Sequence, residues 1–255
     1  MNRGIYTATS GGMAAERRME AVSNNLANVN TTGFKGQRIV ARQQEFADTL
    51  ASIIATTPKY APSDQRDNPG VVEINAETNF SAGPINYTGN PLDVALVDQD
   101  SFFVIQVGDE ELYSKAGNFT LNVNRELVTH DGYPVLGTNG TITFPVDGRA
   151  SISENGAALS DSSRVDQLRV VSIADKSQME RTDGTRFRLL NTDDVVELAE
   201  YSLTPASLEM PNVSTVGSMV ELISTSRAFE AYTKIVQTLD DINAKVISTI
   251  RSGNG

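Results

Sequence analysis

Cysteine and tryptophan are absent from the 255 residues, and histidine occurs once, at His130. Without thiols there is no disulfide, no thiolate metal site and no cysteine nucleophile. A single histidine does not build a histidine-rich zinc site, and triad chemistry would have to run through it. His130 stands in "LVTHDGYPVLG", between a short apolar run and a turn former, which is the setting of a surface turn. There is no apolar run of roughly 18 residues, the length a membrane span requires. Arg3 is not followed by the apolar core of a signal peptide. No "GxxxxGKS" or "HExxH" pattern occurs, and the carboxylates, Asp93 and Glu110 among them, read as an acidic surface rather than a paired site. The expectation is a chain with no catalytic residues, no metal site and no cofactor.

Charge is unevenly placed. Residues 1–42 hold six basic and two acidic residues, and the remainder holds 15 basic and 30 acidic, giving −11 overall. An acidic body disfavours nucleic acid, and six basic residues spread along the leader make no dense patch. Neither nucleic acid nor membrane insertion is expected.

What is present is a pair of heptad seams at the two ends. Ile5, Gly12, Met19 and Leu26 recur every seven residues, and Ala8, Ala15, Val22 and Val29 follow each by three. This a/d spacing predicts a helix over about residues 2–27, with small residues at Ala8, Gly12 and Ala15 that admit a close neighbour. At the other end Leu222, Phe229, Val236 and Ile250 share one seven-residue repeat with Asn243. Thr225, Tyr232, Leu239 and Val246 share the second. A lone amphipathic helix leaves its stripe in water, so the two seams are expected to pack on each other and on further copies.

Between the ends the period falls to two. "VVEINAETNFS", "LDVALV" and "SFFVIQV" are separated by turn formers such as Gly83–Pro84, Asp131–Gly132 and Asn139–Gly140. The fold expected is mixed: terminal helices in an antiparallel coiled-coil-like pair, around a central, mostly antiparallel β domain. The divisions expected are residues 1–35 with 208–255 as the helical part, 36–70 as an extended linker arm, and 71–207 as the β domain. The proline-rich stretch 55–70, "ATTPKYAPSDQRDNPG", is expected to be a linker that contacts neighbouring subunits.

Three stretches together resemble the bacterial flagellar rod and hook protein family. They are "NNLANVNTTGFK" with the helix before it, "LEMPNVSTVGSMVELISTSRAFEAYTKIVQTLDDI" near the C-terminus, and the middle "GNPLDVALVDQDSFFVIQ". The matching positions of the first motif are Asn24, Asn25, Leu26, Ala27, Asn28, Gly33 and Phe34. The resemblance implies a structural subunit of the basal-body rod that assembles axially with copies of itself and with other rod proteins. It also implies export through the flagellar type III apparatus without a cleaved signal, and a place in the rod across the periplasm. Pro91 stands where distal-rod members carry serine, which implies the proximal-rod type. Ser101 replaces a glycine usual before the paired aromatics. The competing reading from residues alone is a soluble adaptor that binds through its β domain, but an adaptor has no need of two adhesive ends.

Overall fold

The computed structural model describes residues 2–44, 71–191 and 195–252. The linker stretch 55–70 lies outside the described residues. The chain divides into two compact units. The first holds residues 1–26, 37–78 and 215–255, and the second holds 27–36 and 79–214.

In the first unit, α1 (Asn2–Ala27) and α2 (Thr215–Ser252) are the two terminal helices, as the heptad spacing predicts. Gln37–Gln44 and Val71–Thr78 form a two-stranded antiparallel ladder, in register from Gln37 opposite Thr78 to Gln44 opposite Val71. The sequence reading assigned Val71–Thr78 to the β domain. In the structure that strand pairs with the arm and groups with the helices instead. Its alternation carries no information about which partner completes the ladder, because the backbone bonds of a strand are the same for any neighbour.

The second unit is built on a six-stranded antiparallel sheet in the order Met179–Asp183, Arg186–Leu189, Glu110–Ser114, Ser101–Val107, Val170–Ile173, Val195–Glu197. Successive side chains of Ser101–Val107 point to opposite faces. Phe103 and Ile105 enter one buried cluster with Leu112, Phe119, Leu127 and Val170, whereas Phe102 and Val104 enter another with Tyr113, Val171 and Phe187. The strand is therefore buried on both faces, which is why "SFFVIQV" is an almost unbroken apolar run rather than a strict alternation. Aromatic edges fill the two clusters, Phe103 against Phe119 at 5.1 Å between centroids and Phe102 against Phe80 at 5.8 Å. Short hairpins and two-stranded pieces cover the sheet, and a 3₁₀ turn at Lys176–Gln178 is capped by Asp175. The fold is thus mixed, with two terminal helices and many antiparallel strands.

Candidate assembly surfaces and the motif loop

The seam of α1 is formed by small and apolar side chains. Ala8, Ala15 and Val22 are buried, and Gly12, Met19 and Leu26 are half-buried; Val29, the last of the repeat, falls beyond the helix end and is half-buried in the loop. On α2, Leu222, Phe229, Tyr232, Val236 and Leu239 are half-buried, while the polar Ser218 and Thr225 are buried outright. The side chains of Ile5, Val246 and Ile250 lie outside the described residues. Among the described residues, contacts at Gly11 and Arg18 tie the helices to each other. The Tyr232 ring lies over Gly11, and Arg18 donates to Glu221 at 2.6 Å. The ion pair is largely exposed, so its contribution is small, about 0–1 kcal/mol.

The opposite side of α2 was not visible in the heptad reading. Val216, Val220 and Ile223 recur at i, i+4 and i+7, roughly half a turn away from Ser218 and Thr225. They are 72%, 63% and 55% exposed, and Met219, Ile235 and Ile242 are also exposed. The i, i+4, i+7 count would have found this second stripe. The reading of one seam per helix hid it.

The motif after α1 has a separate geometry. Asn25 is buried, and its side chain both donates to the Gln37 carbonyl at 2.7 Å and accepts from the Gln37 amide at 2.8 Å. That reciprocal pair closes a loop whose stem belongs to the first unit and whose residues 27–36 belong to the second. Within the loop, Asn28 accepts from the Thr31 amide, and Thr31 accepts from the Phe34 amide. Gly33 has φ +69°, and a β-carbon there would run into the backbone of Ala116, so both its conformation and its space exclude a side chain. Phe34 is fully buried. Asn24 and Ala27 remain exposed and Asn28 half-buried.

Lys35 follows Phe34 into the interior. Its ammonium donates to Glu209 Oε1 at 2.7 Å and to the Ser81 carbonyl at 2.9 Å, and the pair is 1% and 4% exposed. Glu209 Oε1 also accepts from the Gly83 amide at 2.8 Å, and the Glu209 carbonyl accepts from the Gly33 amide at 2.8 Å. Asn212 accepts from the Gly36 amide and donates to the carbonyls of Asn79 and Ser81. Arg181 donates to the Lys35 carbonyl and stacks over the Phe34 and Phe187 rings. Burial pushes its guanidinium down to about 10. Lys115, 2% exposed, donates to the Asp98 carbonyl beneath the Phe102 ring. Burial pushes its ammonium down to about 8, against the pull of Glu209. The sequence reading missed Lys35, Glu209, Asn212, Lys115 and Arg181. The signal of the first four was an ionisable or amide residue inside otherwise apolar or turn-forming motifs, "GFKG", "YSKAG" and "LEMPN", whereas Arg181 stands in the charged "MERTD" and carried none.

None of this is a catalytic arrangement. Asp93 is held by Thr88 at 2.6 Å and Asn90 at 2.9 Å, and Glu110 pairs with Arg188. His130 is exposed. Among the described residues, no group of acidic side chains and histidine has the geometry of a metal site, and no helix is long and apolar enough to cross a membrane.

Comparison with known proteins follows the same three stretches. The family described as flagella basal body rod protein matches residues 5–35. The flagellar hook protein FlgE/F/G D1 domain matches residues 96–159, and the flagellar basal body rod FlgEFG protein C-terminal family matches 204–250. The rod protein FlgF of Salmonella typhimurium is 30% identical over 94% of this chain and 95% of its own length. The chain belongs to the flagellar basal-body rod protein family. Rod protein FlgG of Borreliella burgdorferi is likewise 30% identical, over 95% of this chain and 96% of its own. FlgG of Bacillus subtilis is 29% identical over 98% of this chain and all of its own length. As a rod protein of the FlgF and FlgG kind, the chain is a structural subunit of the basal body and not an enzyme. The motif loop up to Lys35 falls inside the first match, and the Glu209–Asn212 segment inside the last.

Proposed function

We propose that this rod protein assembles axially through an antiparallel coiled-coil-like pair of its terminal helices, with α1 and one face of α2 forming the pair and the other face of α2 docking on neighbouring subunits. The observation that carries the reading is the second apolar face of α2. A helix apolar on two opposite sides needs partners on both, and the described residues cover only one. The direction of pairing is supported by the two contacts, since Gly11 meets Tyr232 whereas the later Arg18 meets the earlier Glu221. The residues assigned to the interfaces are the two heptad seams together with Val216, Val220 and Ile223.

The finer position follows from sequence. Pro91 in "GNPLDVAL" favours the proximal, FlgF type over the distal, FlgG type. The neighbours would then be copies of itself and other rod proteins, reached by type III export across the periplasm without a cleaved signal. Labelled protein in isolated basal bodies tests this. Label at the proximal level of the rod is expected. Label at the distal level would transfer the chain to the FlgG type, and absence from the rod would overturn the subunit reading.

A further inference from the structure

We propose that the buried Lys35–Glu209 pair is a latch that makes seating of the N-terminal motif loop and docking of the C-terminal segment a single cooperative event. Lys35 comes from the segment that leaves α1, and Glu209 from the segment that leads into α2, 174 positions away. The latch is a property of one chain and does not rest on the assembly reading.

Three segments converge on it, residues 33–36, 79–84 and 207–212, all within the second unit. Each supplies a part that the others need. Glu209 holds Lys35 and the Gly83 amide with one oxygen, Lys35 holds Ser81, and Asn212 bridges Gly36 to Asn79 and Ser81. Withdrawing residues 33–36 or 207–212 leaves Glu209 or Lys35 buried without its ionic partner, and withdrawing 79–84 strips the buried pair of the Ser81 carbonyl and the Gly83 amide, each far costlier than losing an ordinary surface contact. Intermediate states with one segment seated are therefore disfavoured, and the three open or close together. The chain passes between its two units at Leu26–Ala27, Gly36–Gln37, Thr78–Asn79 and Ser214–Thr215. Every one of these passages borders a latch segment or the loop it secures. The latch is also incompletely bonded. Glu209 Oε2 and Arg181 Nε are buried with no hydrogen-bond partner among the described residues. A half-satisfied network is weaker than a complete one, so the latch opens below the threshold of global unfolding.

Native-state hydrogen exchange on the full chain tests this at five amides: Gly33, Gly36, Asn79, Gly83 and Met210, each hydrogen-bonded from one of the three segments to another at 2.8 Å. Lys35→Met removes the acceptor of none of them. All five are nevertheless expected to exchange faster together, by about tenfold or more, while Leu127 and Leu168 in the core keep their rates. Asn212→Ala removes the acceptor of Gly36 alone and is expected to accelerate the same five. Acceleration confined to one segment would show independent contacts and overturn the latch. Equal acceleration of Leu127 and Leu168, or failure of either variant to fold, would also overturn it, because the cluster would then be an inseparable part of the core.

Discussion

The ring of Tyr232 fills the space over Gly11, so that a β-carbon at Gly11 would stand 2.5 Å from Tyr232 Cε1. On an isolated helix, Gly→Ala is a gain of about 1 kcal/mol in propensity. Here the ring must move, and overpacking of this kind costs about 1–3 kcal/mol. Gly11→Ala is therefore expected to weaken the helix contact, and the same substitution in a Tyr232→Ala background is expected to strengthen α1. Thermal melts followed by helix circular dichroism over the four-member cycle would read the reversal of sign, and two effects of the same sign would refute it.

The exposed face of α2 separates assembly from folding. Val220→Asp and Ile223→Asp replace side chains that are already mostly in water, so monomer stability is expected to change by about 0.5 kcal/mol or less. Swimming and rod formation are expected to fail, because a carboxylate would then be buried at the contact. Leu26→Asp, on the α1 seam, is expected to give the same loss with the β-rich unit still folded. A motile strain carrying the α2 variants, with a normal rod by electron microscopy, would rule out this face.

Lys115 gives the protein a pH dependence. Its folded value of about 8 lies below the ordinary lysine value, so the unfolded chain holds the proton more tightly. Stability rises as pH increases from about 8 towards about 10, and the full contribution is lost again as pH falls through 8. The gain is about 3 kcal/mol in order of magnitude. Tyr113 is pushed upward, chiefly by burial, so its contribution has the opposite sign and enters only above its ordinary value near 10. Arg181 has the sign of Lys115 but acts from about 10 upward. Urea melts at pH 7 and pH 9.5 should show the rise in the wild-type chain and its absence in Lys115→Met.

Ala206 and Gly33 form a complementary pair of backbone tests. Ala206 is a non-glycine residue at φ 51°, and its carbonyl accepts from the amides of Thr88 and Gly89. Ala206→Gly is expected to stabilise by about 0.5–1 kcal/mol, the left-handed strain less the entropy added to the unfolded chain. Gly33→Ala adds the same strain and a collision with the Ala116 backbone, so it is expected to destabilise by more than about 2 kcal/mol. Chemical denaturation of both variants checks the opposite signs.

Much of the architecture was legible because it is periodic. The seven-residue recurrence from Ile5 to Leu26 marked α1, and the same recurrence near Leu222 marked α2. The short apolar runs with turn formers between them fixed the β-rich middle. The motif loop was legible as a run of matching positions from Asn24 to Phe34. Its mechanism was not, because Asn25 closes it onto Gln37 and Lys35 secures it onto Glu209.

The helices, the class of the middle segment, the lack of thiol and histidine-rich chemistry and the family resemblance can all be read along the chain. These are properties of local spacing and composition, which need no knowledge of what lies opposite. The pairing of Val71–Thr78 with Gln37–Gln44, the burial of Ser101–Val107 on both faces and the second exposed stripe of α2 emerge from the folded chain. It alone brought Lys35, Ser81, Gly83, Glu209 and Asn212 together. The physical reason is that a hydrogen bond or ion pair depends on distance in space, and residues 174 positions apart leave no periodic trace of their meeting.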